Sequence, residues 1–259
     1  MKLHRIYAVL LKSLYVTKRS PDRWADLFYW SAVDLVVWGL TGSYFTTLSP
    51  NSHILAIIIS GILFWIIIWR GQQEISINLL EDLWNRNLIN IFVSPFTFGE
   101  WVVSFLLISF VKSGISFVIA SGIAVLLYGV SVLTYGMYVL PFIVVLLLTA
   151  WAVGFLITGT ILRFGQKIQN LAWSVVSILS PFSAIYYPLS ILPKWAQYVA
   201  KIFPTSYIFQ ELHNVIQTGH ADWGNIGLSW VMSIVYFLLA LWFLRNSFHS
   251  LLKKGLMNV

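Results

Sequence analysis

Long stretches of this chain contain no Asp, Glu, Lys or Arg. None of the four occurs in 35–69, 113–162, 168–193 or 223–244. A membrane-spanning helix needs about 20 mostly apolar residues, and each of these runs supplies one or two such lengths. Charged residues make up 10% of the chain, against roughly 25% in a soluble domain. A fold with so few charges cannot clothe itself in water. The expected class is therefore an all-α integral membrane protein, forming one transmembrane domain over 1–259.

Reading along the chain gives six spans, at 28–48, 54–69, 101–128, 139–162, 171–187 and 226–244. Segment 1–24 spaces Leu3, Ile6, Leu10 and Leu14 between Lys2, Arg5, Lys12, Lys18, Arg19 and Arg23. Basic residues scattered through an apolar stripe predict an amphipathic helix lying in the headgroup layer. A cleavable signal instead has a short basic start followed by an apolar run and small residues. The segment 72–95 carries Ile75, Leu79, Leu80 and Leu83 at helical spacing among acidic residues, and it is read as a short helix outside the bilayer. Pro181 is expected to kink the fifth span.

An even number of spans puts both termini on one side. The N-terminal six basic residues, Arg70, Arg86, Arg163, Lys167, Arg245, Lys253 and Lys254 all fall on that side. Only Lys194 and Lys201 fall on the other, and Lys112 lies within a span. The positive-inside rule makes both termini cytoplasmic. The net charge of +7 thus reports orientation and not nucleic acid.

Several chemistries are missing. The chain has no Cys, which removes disulfides and thiolate sites. No phosphate-binding Gly-x-x-x-x-Gly-Lys loop, no His-Glu-x-x-His and no Gly-x-Ser-x-Gly occurs. His213 and His220 stand near Glu211 and Asp222 without a recognised metal spacing. No catalytic or metal residue is therefore assigned.

Two segments carry the informative motifs. The first includes Glu74, Leu79, Glu81, Asp82, Asn85 and Arg86 and ends at Ile91-Phe92-Val93-Ser94-Pro95, with Glu100 beyond. The second, 188–224, holds Pro188, Leu189, Leu192, Pro193 and Trp195, then Pro204 and Tyr207. Prolines so placed forbid one continuous helix, and the runs between them are too short to span. A half-inserted helical hairpin buried against protein fits both facts.

In the order of these motifs, nearly the whole chain resembles the ABC-2 permeases of ATP-binding-cassette exporters. The stretch from Leu27 to Gly39 is similar to the start of their first span. The resemblance implies that 72–95 is a coupling helix docking on an ATPase subunit and that 188–224 is an outer re-entrant pair. It also implies a homodimer with two ATPase copies, with ATP and Mg bound by the partner and no cofactor in this chain. The setting implied is the cytoplasmic membrane of a bacterium or archaeon. The cargo class implied is a drug, lipid or lipid-linked glycan. Asn85-Arg86-Asn87 departs from the Gly or Thr of many members. Acidic residues at an anionic leaflet favour docking on a partner over resting on lipid.

Two charges remain within the spans. Asp34 lies roughly 9 Å into the first and Lys112 roughly 16 Å into the third, at 1.5 Å per residue. Such charges seldom face lipid, and a structural pair between them is expected. Ser116, Ala120 and Ala124 suit close helix approach, either between subunits or within one. A stand-alone carrier or channel is the alternative reading. It predicts several ionisable groups within the spans, where only these two occur, and leaves the acidic helix unexplained. A lipid-modifying enzyme would need clustered His, Asp or Glu at a membrane face.

Overall fold

The computed structural model describes residues 2–49, 53–85, 87 and 97–254. Among them every regular element is helical. Helix α1 is Leu3–Arg19, α2 is Pro21–Leu48, α3 is Ile54–Trp84 and α4 is Phe98–Tyr128. A 3₁₀ segment, Val132–Tyr138, leads into α5, Val139–Phe164. Then come α6 (Leu171–Leu179), α7 (Lys194–Ala200), α8 (Pro204–Thr218) and α9 (Trp223–Lys254).

Among the described residues, four helical stretches are long and apolar enough to cross a membrane: Ile54–Trp84, Phe98–Tyr128, Val132–Ile168 and Trp223–Leu251. Six were expected. The first expected span lies in α2, whose 28 residues include Asp22, Arg23, Asp26 and Asp34, so its length suffices while its composition is less apolar. The fifth differs more. Helix α6 has nine residues, roughly 14 Å of rise. A 3₁₀ turn over Ser180–Ser183 with Pro181 in its first positions follows, and Ala184 then adopts φ 56°. Pro181, expected to kink this helix, stands where it stops.

Helix α3 is the centre of the bundle. Ile58–Ile68 are buried on every side, and Ile75, Leu79, Leu80 and Leu83 continue the buried face. A helix apolar all round belongs inside. The sequence reading placed a break at Arg70-Gly71 and a separate helix beyond it. Instead, α3 runs unbroken through both for 31 residues. Gly71 is there for close approach: a Cβ added to it would stand 2.9 Å from the Ala150 Cβ of α5. Its carbonyl accepts the Ser109 hydroxyl of α4 at 2.7 Å. At roughly 46 Å, α3 exceeds the ~30 Å hydrocarbon layer.

Lipid tails offer no hydrophobic drive between helices, so close packing and interhelical hydrogen bonds hold such a bundle, the bonds contributing about 0.6 kcal/mol each. The Trp151 indole donates to Ser109 Oγ at 3.0 Å. Thr149 and Ser233 share a 3.1 Å bond, Gln72 donates to the Ala172 carbonyl at 3.1 Å, and Arg163 donates to Ser247 at 2.8 Å. Ser116, Ala120 and Ala124 are all buried within this one chain. Helix α4 starts on a reciprocal capping box between Thr97 and Glu100 and ends at Gly129 with φ 66°, a left-handed position that favours glycine. The end of the bundle holding α1, the α3 C-terminus and the α4 N-terminus is called the basic end below.

Candidate functional site

At the basic end, a collar of ion pairs joins four helices. Lys12 of α1 meets Asp82 of α3 at 2.5 Å. Arg23 of α2 pairs with Glu81 of α3. Arg70 of α3 reaches Asp26 of α2 at 2.7 Å, and Lys112 of α4 reaches Glu74 of α3 at 2.6 Å. Glu100 accepts the backbone N–H of Lys2 at 2.7 Å and lies 3.4 Å from Arg5.

This arrangement redraws the expected docking surface. Glu74 and Asp82 are buried, as is Leu79, and Glu81 is half-buried. The acidic side chains bind their own chain. Asp82 also accepts the Asn87 amide at 3.1 Å. Asn85 is exposed, and Trp84 beside it is exposed while donating to Gln169 at 3.1 Å. Arg86, Ser94 and Pro95 lie outside the described residues. The expected Asp34–Lys112 pair is not formed. Lys112 takes Glu74, a residue assigned to a separate short helix outside the bilayer when the second span was read as ending before Arg70. Once α3 continues, Glu74 stands one turn beyond Arg70 and within reach of α4.

Asp34 lines a cavity of about 430 Å³ among α2, α3, α6 and the turn after α6. Helix α2 contributes Trp30, Ser31 and Asp34, a four-residue helical period. Helix α3 contributes Trp65, Trp69, Arg70 and Gln73, again on one face. Trp173 and Tyr186 complete the aromatic wall, and Tyr186 stacks on Trp38 with centroids 4.5 Å apart. Arg70 is 1% exposed. Its Nη1 donates to Asp26, but its Nη2 has no hydrogen-bond partner among the described residues. Sequence reading took Arg70 only as a marker of orientation. The recurrence of Trp30, Asp34 and Trp38 at four-residue spacing was the available signal. A second cavity, of about 510 Å³ and almost wholly apolar, adjoins on the other side of Trp65 and α6.

At the opposite end, prolines divide 188–224 as expected, into a short 3₁₀ turn Leu189–Ile191, then α7 and α8. Pro188, Pro193 and Trp195 are exposed, while Leu189, Leu192 and Tyr207 are half-buried and Pro204 is buried. Trp195 meets Phe182 edge-on. Tyr207 donates to the Lys201 carbonyl at 3.2 Å, and Pro204 offers its carbonyl to Ser229 at 2.7 Å. Glu211, fully buried, accepts from Asn225 at 2.7 Å, from the Asp222 N–H at 2.8 Å and from Asn214 at 3.1 Å. It thereby ties α8 to the start of α9. His213 is buried and donates from Nε2 to the Ile185 carbonyl at 3.2 Å, and burial pushes its imidazole below the usual range. His220 is exposed.

Residues 41–242, more than half of the chain, match the model of the family described as ABC-2 family transporter protein. The chain belongs to the ABC-2 transporter family. No curated protein matches it. As an ABC-2 permease it is a multi-pass membrane component of an ABC transporter, a transport subunit and not itself the catalytic one. Membership implies association with an ABC ATPase. The matched stretch takes in the cavity walls on α3 and α6. The α2 residues Trp30, Ser31 and Asp34, and all of α1, precede it.

Proposed function

We propose that this ABC-2 permease is the membrane half of an ATP-driven exporter, moving an amphipathic cargo such as a drug, lipid or lipid-linked glycan out of the cytoplasm. It works as a homodimer in a bacterial or archaeal cytoplasmic membrane with both termini cytoplasmic. Two ATPase copies bind the ATP and Mg. Six crossings are made by α2, α3, α4, α5, the α6 region and α9. The α6 region and its 3₁₀ turn rise only about 20 Å, and 188–224 completes that depth from the outer face as a re-entrant pair. Segment 1–24 lies in the headgroup layer.

One observation carries this reading. Residues 72–84 of the proposed coupling segment are the end of α3, whose middle walls the cavity. A rigid helix turns a push at one end into movement at the other. Glu74, Leu79, Glu81 and Asp82 fasten that lever to α1, α2 and α4. Docking falls to the tip of α3, at Trp84 and Asn85, and by the sequence motif to Arg86, Ser94 and Pro95.

The test is co-purification of the full chain with an ABC ATPase encoded beside it. Wild type is expected to retain the ATPase, and Trp84→Ala/Asn85→Ala to lose it, while Glu81→Gln retains it. Capture of no ATPase by wild type would overturn the exporter reading. Loss with Glu81→Gln but not with the tip variant would return docking to the acidic face.

A further inference from the structure

The cavity beside Arg70 holds two unlike charges, each with bonding capacity left over. Asp34 forms no ion pair among the described residues and is exposed on α2. Arg70 is buried and held in place through Nη1 by Asp26, while its Nη2, with no accessible surface in this conformation, has no acceptor among the described residues. A buried guanidinium nitrogen without an acceptor is costly, and an ionisable residue at membrane depth marks a functional site by default. The volume of about 430 Å³ falls within the ~300–1,000 Å³ range of small-molecule sites.

The walls narrow the ligand further. Trp30, Trp65, Trp69 and Trp173 face this space. Indole faces attract quaternary and primary ammonium groups, most strongly where water is excluded. A carboxylate with indoles therefore suits a cation, and an unfilled guanidinium suits a phosphate-like oxygen. Asp34 and Arg70 line the same cavity, so a headgroup carrying both charges can meet them together. The almost wholly apolar neighbouring cavity shares Trp65 and offers a place for a hydrocarbon tail.

We infer that this cavity binds the headgroup of the transported amphiphile and that this headgroup is zwitterionic, with its anionic oxygen toward Arg70 and its ammonium toward Asp34 and the indoles. The inference deepens the exporter reading and rests on it for the word transported. Binding itself needs only this chain.

The experiment titrates the full chain, held in amphipol, with four ligands sharing a twelve-carbon tail: dodecylphosphocholine, dodecyl phosphate, dodecyltrimethylammonium and dodecyl maltoside, each below its micellar concentration. Dodecylphosphocholine is expected to bind tightest, by about tenfold over either ligand that carries charge of one sign only, the size of one charge-assisted contact. Asp34→Asn should erase its advantage over dodecyl phosphate. Arg70→Gln should erase its advantage over dodecyltrimethylammonium. Asp34 is exposed and has no ion pair among the described residues, so its variant keeps the test open if Arg70→Gln fails to fold. Equal binding of all four ligands, tightest binding of the anion or the cation, or an order unchanged by Asp34→Asn would overturn the inference. So would a change of oligomeric mass in Asp34→Asn without a change in binding, because a second copy would then be the occupant. A second arm adds the ATPase and ATP. Release of bound dodecylphosphocholine on ATP addition marks cargo, whereas retention marks a resident lipid and overturns the assignment as transported. If selectivity appears but no ATPase associates, the exporter reading fails and the site stands.

Discussion

The two ends of the bundle are built from different chemistry. Among the described residues, all five ion pairs lie at the basic end or in the part of the bundle next to it, linking α1, α2, α3 and α4. The opposite end is closed by hydroxyls and amides on backbone carbonyls, and its one central charge, Glu211, is answered by neutral donors. Helix α3 connects the two. Ion pairs between side chains from different helices tolerate small rotations of those helices. Short hydrogen bonds to carbonyls at proline-cut helix ends do not. The basic end is thus suited to take up a movement and the other to keep its form while passing it on.

Four substitutions test that contrast, in falling order of effect. Lys112→Met leaves the buried Glu74 carboxylate without its cation, a loss of about 3–5 kcal/mol. Thermal unfolding should drop sharply, and Lys112→Met/Glu74→Gln should regain most of it, since removing both charges avoids the unpaired one. Glu211→Ala deprives Asn225, Asn214 and the Asp222 N–H of their acceptor. The expected cost is about 2–3 kcal/mol, with faster proteolysis confined to 188–224 and the collar intact. If Glu211→Ala loosens α1 equally, the two ends are not separate units.

Lys12→Ala should cost only about 0.5 kcal/mol, because Lys12 is half exposed and exposed pairs are weak and screened. The difference from wild type should shrink further between 0.1 and 1 M salt, as the Debye length falls from about 10 to 3 Å. The smallest effect concerns acid. Burial holds folded His213 below its usual range, so the unfolded chain takes up a proton near pH 6.5 before the folded one does. The stability held by neutral His213 is complete above about pH 6.5 and falls as the pH drops below it. Thermal scans at about pH 7.5 and 5.5 should show that loss in wild type, and His213→Gln should reduce it.

Much of this was legible in the sequence. The start and end of α4 and α5, the cuts at Pro188, Pro193 and Pro204, and the helical N-terminal segment follow from local signals: apolar runs, caps and prolines. What escaped depends on neighbours. Gly71 reads as a helix end when alone, yet serves as a contact surface once α4 and α5 approach it. That single misreading detached Glu74 from α3 and left Lys112 to be matched with Asp34. Pro181 reads as a kink unless one knows that Ala184 turns left-handed three residues on. The cavity could be sensed in the spacing of Trp30, Asp34 and Trp38, but Trp173 and Tyr186 join it only through the fold.

The absence of Cys makes the central claim directly measurable. A single Ser31→Cys change places one thiol among the lining residues of the cavity. In the complex with its ABC ATPase, reconstituted in liposomes, that thiol is labelled by a membrane-impermeant maleimide from the outer face. If α3 carries movement from the collar to the cavity in an exporter, ATP should raise the labelling rate, and Lys112→Met/Glu74→Gln, which removes the ion pair between α3 and α4, should blunt the rise. Labelling that is indifferent to ATP in a complex that hydrolyses it would contradict the account.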